Sequence, residues 1–164
     1  MKTGKKTASL FTAAILGILA ALAVTCSFST MKVQGESMAP SIEKGDRVLI
    51  SRLLYYFSQP KAGDVVAFSC NVYSEDGEGS TLIKRIIATE GDQVEIQDGV
   101  LYINGEQFDE YAAEPVYMEP MERVTVDQDK VFVLSDNRSS VLDSRDQAVG
   151  LLDISEITGK VCFK

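Results

Sequence analysis

The most extended hydrophobic feature of the chain is a run from Thr7 to Met31 that contains no charged residue. A helix needs about 20 apolar residues to span the hydrocarbon core of a bilayer, so we predict one transmembrane anchor over residues 7–31. Three lysines and no acidic residue lie in residues 1–6. The positive-inside rule therefore predicts a cytoplasmic N-terminus, which leaves residues 32–164 on the outer face of the membrane.

A cleaved secretory signal peptide is the alternative interpretation of this segment. Ala21, Leu22 and Ala23 have the small-x-small form of a cleavage site. We favour a retained anchor because the apolar run is longer than the roughly 7–15 residues of a signal-peptide core.

After Met31 the pattern changes to short runs rich in Val, Ile, Phe and Tyr, separated by Gly, Asp and Asn, which is typical of strands and turns. Asp98-Gly99 and Asn104-Gly105 have the composition of tight hairpin turns. No capped helical pattern follows the anchor, and the acidic segment 107–129, with Pro115 and Pro120, is predicted to be a loop or edge excursion. The predicted strands are Arg47–Ser51, Asp64–Ser69, Leu82–Ala88, Val94–Ile96, Val100–Ile103, Val131–Leu134 and Lys160–Phe163. We therefore predict a mostly β fold, a partly barrel-like antiparallel β domain behind one N-terminal transmembrane helix.

Composition narrows the possible chemistry. The net charge of −8 disfavours nucleic-acid binding, which depends on phosphate neutralisation. The chain has no histidine, which excludes Ser-His-Asp and Cys-His mechanisms and zinc sites that need imidazole. Cys26, Cys70 and Cys162 lack metal-ligand spacing, so we predict no metal and no cofactor. Cys70 and Cys162 either form a disulfide or, as we favour, remain two unpaired buried thiols.

Two residues are candidates for nucleophilic chemistry. Ser37 lies in a tight segment between Gly35 and Pro40, where glycine would let a substrate backbone approach closely. Taken alone, it is more typical of an ordinary loop serine. Lys84 lies in an apolar strand, where alternation places it on the same face as Leu82 and Ile86. Burial would lower its pKa and favour the free amine that a general base requires, although a lysine that extends to water is the simpler interpretation.

A third motif, residues 133–145, follows a predicted strand and is dense in side chains that hydrogen-bond to the backbone. Asp143 and Arg145 are spaced for a charge-assisted pair within it. The simplest interpretation is a polar loop that its own side chains hold in place, which would support a site without reacting.

Together these segments resemble the bacterial type I signal peptidase family. Residues 35–40 resemble its nucleophile motif, 63–68 its structural strand motif, 83–87 with Gly91-Asp92 its lysine motif, and 135–138 with 143–145 its last motif. Each motif alone is ordinary, whereas four in this order behind one anchor are specific.

The resemblance implies a Ser-Lys dyad, with Ser37 as nucleophile and Lys84 as general base, that cleaves signal peptides from exported preproteins through an acyl-enzyme. It implies an oxyanion site at the Ser37 N–H, with Gly35 in the position where some members carry a second hydroxyl donor. It also implies that the substrate has small residues at −1 and −3, and that Asp143 and Arg145 brace the last loop. The residues that line or pack beside the substrate pockets would be Val33, Met38 and Ile83.

Two departures from the family concern the orientation of Lys84. Members commonly place a serine that hydrogen-bonds the lysine where this chain has Val141, and Ser140 is the adjacent candidate to replace it. Ser135 stands where the family often has glycine. The short segment between Lys84 and Asp136 resembles the compact type found in Gram-positive bacteria.

Residues 53–57, Leu-Leu-Tyr-Tyr-Phe, have two interpretations. Core packing is the one we favour, and a surface that dips into the lipid interface is the alternative. The expected partners are signal peptides of preproteins and the lipid bilayer.

Two other functions compete with the peptidase interpretation. A self-cleaving repressor-type protease also uses a serine and a lysine for catalysis. It would, however, carry a DNA-binding domain where this chain has the predicted anchor. A dedicated or inactive relative that acts on or binds pilus or envelope subunits is favoured only by Val141. The sequence does not indicate an oligomeric state.

Overall fold

A computed structural model describes residues 12–19, 21, 25, 27–70, 80–112 and 114–163. Residues 12–19 are helical. The predicted cytoplasmic segment 1–6 and Cys26 lie outside the described residues, as does part of the predicted anchor. No helix in the described ranges has the length and apolar character needed to cross a membrane.

Two antiparallel sheets form the domain. The larger has seven strands in the order β1-β2-β11-β3-β4-β9-β10, and the smaller has four in the order β7-β6-β5-β8. The strands are β1 Phe28–Lys32, β2 Arg47–Ser51, β3 Val65–Cys70, β4 Ser80–Thr89, β5 Gln93–Gln97, β6 Val100–Ile103, β7 Glu106–Gln107, β8 Met121–Thr125, β9 Lys130–Leu134, β10 Leu152–Asp153 and β11 Ile157–Phe163. A short α-helix, α1, covers Leu54–Phe57, and a 3-10 helix covers Ile154–Glu156.

The predicted β architecture is confirmed at the level of antiparallel sheets, and each predicted strand corresponds to an observed one. Both predicted hairpin turns are present, because Asp98 and Asn104 adopt φ of 51° and 53° and the glycine after each adopts φ of 82° or 84°. These left-handed conformations are the ones that such turns require. The partly barrel-like shape stays a prediction.

Six elements were not predicted, namely β1, β7, β8, β10, α1 and the 3-10 helix. β1 lies at the end of the predicted anchor, where it pairs with β2 from Phe28↔Ser51 to Lys32↔Arg47. β8 lies inside the segment predicted as a loop and pairs with β5. α1 contains no buried residue. Its four residues are too few for a helical periodicity to be recognised in sequence.

Three hydrophobic clusters hold the sheets together. One packs the small sheet against β4 and β9, through residues such as Ile96, Leu101 and Phe132. The other two lie on opposite faces of the large sheet. Ile83 belongs to the cluster on one face, and Ile86 with the partly buried Leu82 to the cluster on the other. The alternation predicted along β4 is therefore present.

Cys70 and Cys162 are both free thiols. Cys70 is buried at the end of β3, whereas Cys162 is partly exposed in β11.

Candidate active site

Ser37 lies in the loop that connects β1 to β2. Hydrogen bonds at the base of this loop, from Val33 N to Asp46 O (2.9 Å) and from Gly45 N to Val33 O (2.8 Å), close it into a compact unit. Met38, next to Ser37, is fully buried in the same cluster as Ile83. The buried neighbour thus fixes the loop on the sheet, and Ser37 itself remains partly exposed.

Lys84 occupies the middle of β4, where it is paired with Val66 of β3. The residue is only 2% exposed. Burial lowers the pKa of Lys84 to about 8, with Asp143 raising it and Arg145 lowering it to lesser extents. Within the described residues its amine takes part in no ion pair and no hydrogen bond. A buried amine without an acidic partner is suited to act as a base near neutral pH.

The segment that follows β9 connects Ser37 and Lys84. Asn137 N donates to Ser37 O (2.9 Å), and Asn137 Nδ2 donates to Glu36 O (3.4 Å). In the β4–β9 ladder Arg85 is paired with Leu134, so Lys84 lies beside the start of the same segment. The Ser37 hydroxyl and the Lys84 amine are not hydrogen-bonded to each other. Such contacts are often long before substrate binds.

A groove of about 320 Å³ runs past Ser37. Residues Met31 to Gly35 and Met38 form one side, and residues 80–83 of β4 form the other. β9 pairs with β4 only from Arg85 onward, whereas β3 pairs with β4 from Ser80 to Arg85. Among the residues that the structure describes, no strand pairs with the first residues of β4 on the side toward the groove, and such an edge can accept an extended peptide.

Arg85 holds the loop after β9 against the sheet. Its Nε and Nη2 donate to the two carboxylate oxygens of Asp136 at 2.8 and 2.6 Å. Its Nη1 donates to Gly63 O (2.9 Å), and its guanidinium lies 4.4 Å from the centre of the Tyr111 ring. This bidentate pair is nearly buried on the Asp136 side and fixes the residue next to Asn137.

The predicted ion pair between Asp143 and Arg145 is present. Arg145 Nε and Nη2 donate to the Asp143 carboxylate at 2.8 and 2.7 Å. Arg145 also donates to the carbonyl oxygens of Arg138 and Ser140. Asp143 in turn accepts the Ser135 N–H (2.9 Å). The pair thereby ties both ends of the last motif together.

Among the described residues, Ser140 makes no hydrogen bond to Lys84, and the Val141 side chain has no polar atom that could make one. Ser140 contacts Arg145 through its carbonyl oxygen, and the Val141 side chain is 63% exposed. Gly35 has ordinary backbone geometry, and a Cβ added there would meet no heavy atom within 4 Å. The conformational freedom of glycine is therefore not what places Gly35 here.

The sequence interpretation missed the ion pair between Arg85 and Asp136 and the stacking of Tyr111. No sequence spacing connects Arg85 to a carboxylate 51 positions away. Tyr111 lies in the segment that was predicted to be a loop. No group of three or more possible metal ligands occurs among the residues that the structure describes.

Comparison with known proteins adds independent information. The family described as "Signal peptidase, peptidase S26" matches residues 6–164. The signal peptidase I of Bacillus amyloliquefaciens is 33% identical over 175 residues, covering 99% of this chain and 90% of that protein.

The chloroplastic thylakoidal processing peptidase 1 of Arabidopsis thaliana is 37% identical, with 94% of this chain covered. This chain spans only 46% of its length, and 36% of the length of the probable thylakoidal processing peptidase 2 of the same plant.

A solved structure supports the fold assignment. The crystal structure of a signal peptidase I from Enterococcus faecalis V583 superposes with a TM-score of 0.51 at 27% identity, covering 64% of this chain and 98% of that one. The buried lysine, the braced serine and the family match over nearly the full length agree with one another. The chain belongs to the signal peptidase family, peptidase S26.

Proposed function

We propose that this protein is a membrane-bound serine endopeptidase that removes N-terminal signal peptides from exported preproteins. The observation that carries the proposal is the buried Lys84 amine, which has a pKa lowered to about 8 and lies beside the segment that braces Ser37. Ser37 attacks the scissile carbonyl, and Lys84 takes its proton. No cofactor and no metal take part.

The reaction proceeds through an acyl-enzyme. As Ser37 Oγ bonds to the carbonyl carbon, Lys84 becomes an ammonium and then gives its proton to the leaving amine. The neutral amine next activates a water molecule that hydrolyses the ester. The N–H of Ser37, which makes no hydrogen bond within the described part of the chain, is available to the developing oxyanion.

The groove supports specificity for small residues at −1 and −3. An extended peptide that pairs with the free edge of β4 directs alternate side chains to one side. Residues −1 and −3 would then face the same floor, next to Val33, Met38 and Ile83. These three side chains are buried and packed together, which leaves shallow space that favours alanine-sized residues.

The proposed setting is the plasma membrane, with residues 1–6 in the cytoplasm, an anchor within the part of residues 7–31 that precedes β1, and the peptidase domain on the extracellular face. The hypothesis of a lipid-facing surface at residues 53–57 is supported by exposure, because Tyr56 is 81% and Phe57 is 83% exposed. Core packing, the interpretation favoured for the whole run, is wrong for Leu53, Leu54, Tyr56 and Phe57, all of which are exposed. Tyr55 is the member of the run that packs inward, and it donates to Asp64 Oδ2 (3.0 Å).

The proposal is tested by mapping products with mass spectrometry. The full-length protein in detergent or vesicles should cut a preprotein carrying Ala-x-Ala after the second alanine. A substrate with a bulky residue at −1 or −3 should resist cleavage. Cleavage at other positions would contradict the specificity, and binding of envelope subunits without any cleavage would favour the inactive relative instead.

A further inference from the structure

Ser135 carries a buried hydroxyl that has no partner among the described residues. The residue is 0% exposed at the point where β9 ends. Its backbone is fully engaged, because its N–H donates to Asp143 Oδ2 (2.9 Å) and its carbonyl oxygen accepts from Arg138 Nε (3.0 Å). Only the hydroxyl makes no hydrogen bond. Buried polar groups in native proteins usually have a hydrogen-bond partner, so an exception calls for an explanation.

The strand register places this hydroxyl next to Lys84. The antiparallel ladder ends at the pair of Arg85 and Leu134, and continuing its register by one position sets Lys84 opposite Ser135. Residues opposite each other in such a ladder project from the same face, with Cβ atoms roughly 5 Å apart. Ile86 and Val133, two positions away on the two strands, do pack in one cluster on that face. The Ser135 hydroxyl and the Lys84 side chain are therefore expected on the same face, and neither makes a hydrogen bond within the described residues.

We propose that the Ser135 hydroxyl binds the Lys84 amine and positions it for proton transfer, an inference that rests on the proposed roles of Ser37 and Lys84. Ser135 Oγ accepts one N–H of the neutral amine, which directs the nitrogen lone pair toward Ser37. When Lys84 takes the Ser37 proton, the same oxygen stabilises the ammonium. No bond to Ser135 forms or breaks, so it is a positioning residue.

Val141 and Ser144, in the same motif, do not supply a free hydroxyl. Val141 offers no polar atom and points to solvent. Ser144 Oγ is already used, since it accepts the Val133 N–H (2.9 Å). Ser140 braces Arg145 through its backbone.

The test compares Ser135→Ala with Ser51→Ala in preprotein cleavage by the full-length protein. Ser51 is the matched control, because its hydroxyl is also buried and without a partner in the described residues. Ser51 lies on β2, which β11 and β3 separate from β4, roughly 14 Å away at the usual strand spacing. Neither substitution breaks a hydrogen bond present in the structure, so both variants should fold.

We expect Ser135→Ala to lower kcat roughly ten- to a hundredfold with KM unchanged, because a misplaced base loses rate rather than affinity. The acidic limb of its kcat profile should also move to lower pH, since an acceptor that favours the ammonium is gone. Ser51→Ala should match wild type in both respects. An unchanged kcat or an unshifted limb in Ser135→Ala overturns the inference while leaving the dyad intact. Full activity of Ser37→Ala would instead overturn the proposed function and this inference with it.

Discussion

At the scale of single residues, the protonation state of Lys84 controls the proposed reaction. Burial favours the neutral amine, so the pKa of Lys84 falls from 10.5 to about 8. The active form is the deprotonated one. Below pH 8 its fraction should fall about tenfold per pH unit.

The pH profile of kcat/KM is therefore the first prediction. The logarithm of kcat/KM should rise with a slope of one up to about pH 8 and then level off. Rates of preprotein cleavage in buffers of different pH measure this profile. If the profile instead levels off only near the ordinary pKa of lysine, Lys84 is solvated during catalysis, which would contradict a buried base.

The second prediction at this scale concerns Gly35. Because a Cβ fits there without contact, Gly35→Ser should be tolerated and should place a hydroxyl two residues before the nucleophile. If the oxyanion site lacks this donor, kcat should rise by up to about tenfold, less than the 10²–10³ lost when a native donor is removed. Gly35→Ala is the control, and an equal change in both variants would mean that the hydroxyl contributes nothing.

At the scale of elements, the loop after β9 positions the site because buried ion pairs fasten it to the sheet. Asp136 is held by Arg85 of β4 and Asp143 by Arg145. Removing one partner of a buried pair leaves an uncompensated charge. The third prediction is that Asp136→Ala lowers the free energy of unfolding by about 3–5 kcal/mol, measured by chemical denaturation.

Asp127→Ala is the comparison for that variant, because Asp127 pairs with Lys130 and both side chains are exposed. Its effect should be much smaller, since solvent screens an exposed charge. If both variants lose the same free energy of unfolding, the Arg85–Asp136 pair contributes no more to stability than an exposed ion pair does.

The strands that sequence predicted best are short runs of consecutive apolar residues, such as β2, and those next to Asp-Gly or Asn-Gly turns. β1 was hidden because its Phe-Ser-Thr-Met residues continue the uncharged run of the anchor. β8 was not predicted because it directly follows Pro120 in an acidic segment. Its strand conformation depends on pairing with β5, a tertiary contact that local pattern does not carry.

The candidate site also divides into residues that local sequence indicates and residues that depend on tertiary contacts. Ser37 and Lys84 were proposed as the dyad from short motifs and from the family resemblance that those motifs carry, and their roles stay a prediction. The pair formed by Arg85 and Asp136 and the free hydroxyl of Ser135 depend on which strands neighbour each other, and sequence spacing does not give the order β3-β4-β9.

At the scale of the whole molecule, α1 exposes aromatic side chains to solvent. An exposed apolar patch of this kind often marks a surface that binds a partner or a membrane. If this surface lies in the lipid interface, it should matter only when the substrate is held in a bilayer. The fourth prediction is that Tyr56→Ser/Phe57→Ser slows cleavage of a preprotein embedded in vesicles and leaves cleavage of a short soluble peptide unchanged.

Tyr117→Ser is the matched control, because Tyr117 is also exposed but lies beside Gly99 of the small sheet. It should change neither rate. Equal slowing of both substrates by the α1 variant would indicate a folding defect instead of a lipid contact.

The central claim is that Ser37 and Lys84 carry the chemistry, and the rate of preprotein cleavage by Ser37→Ala and Lys84→Met tests it most directly. Both rates should fall by at least about a thousandfold, whereas the exposed-site controls Ser139→Ala and Lys44→Met should stay near wild type. Cleavage at the wild-type rate by either dyad variant would contradict the account.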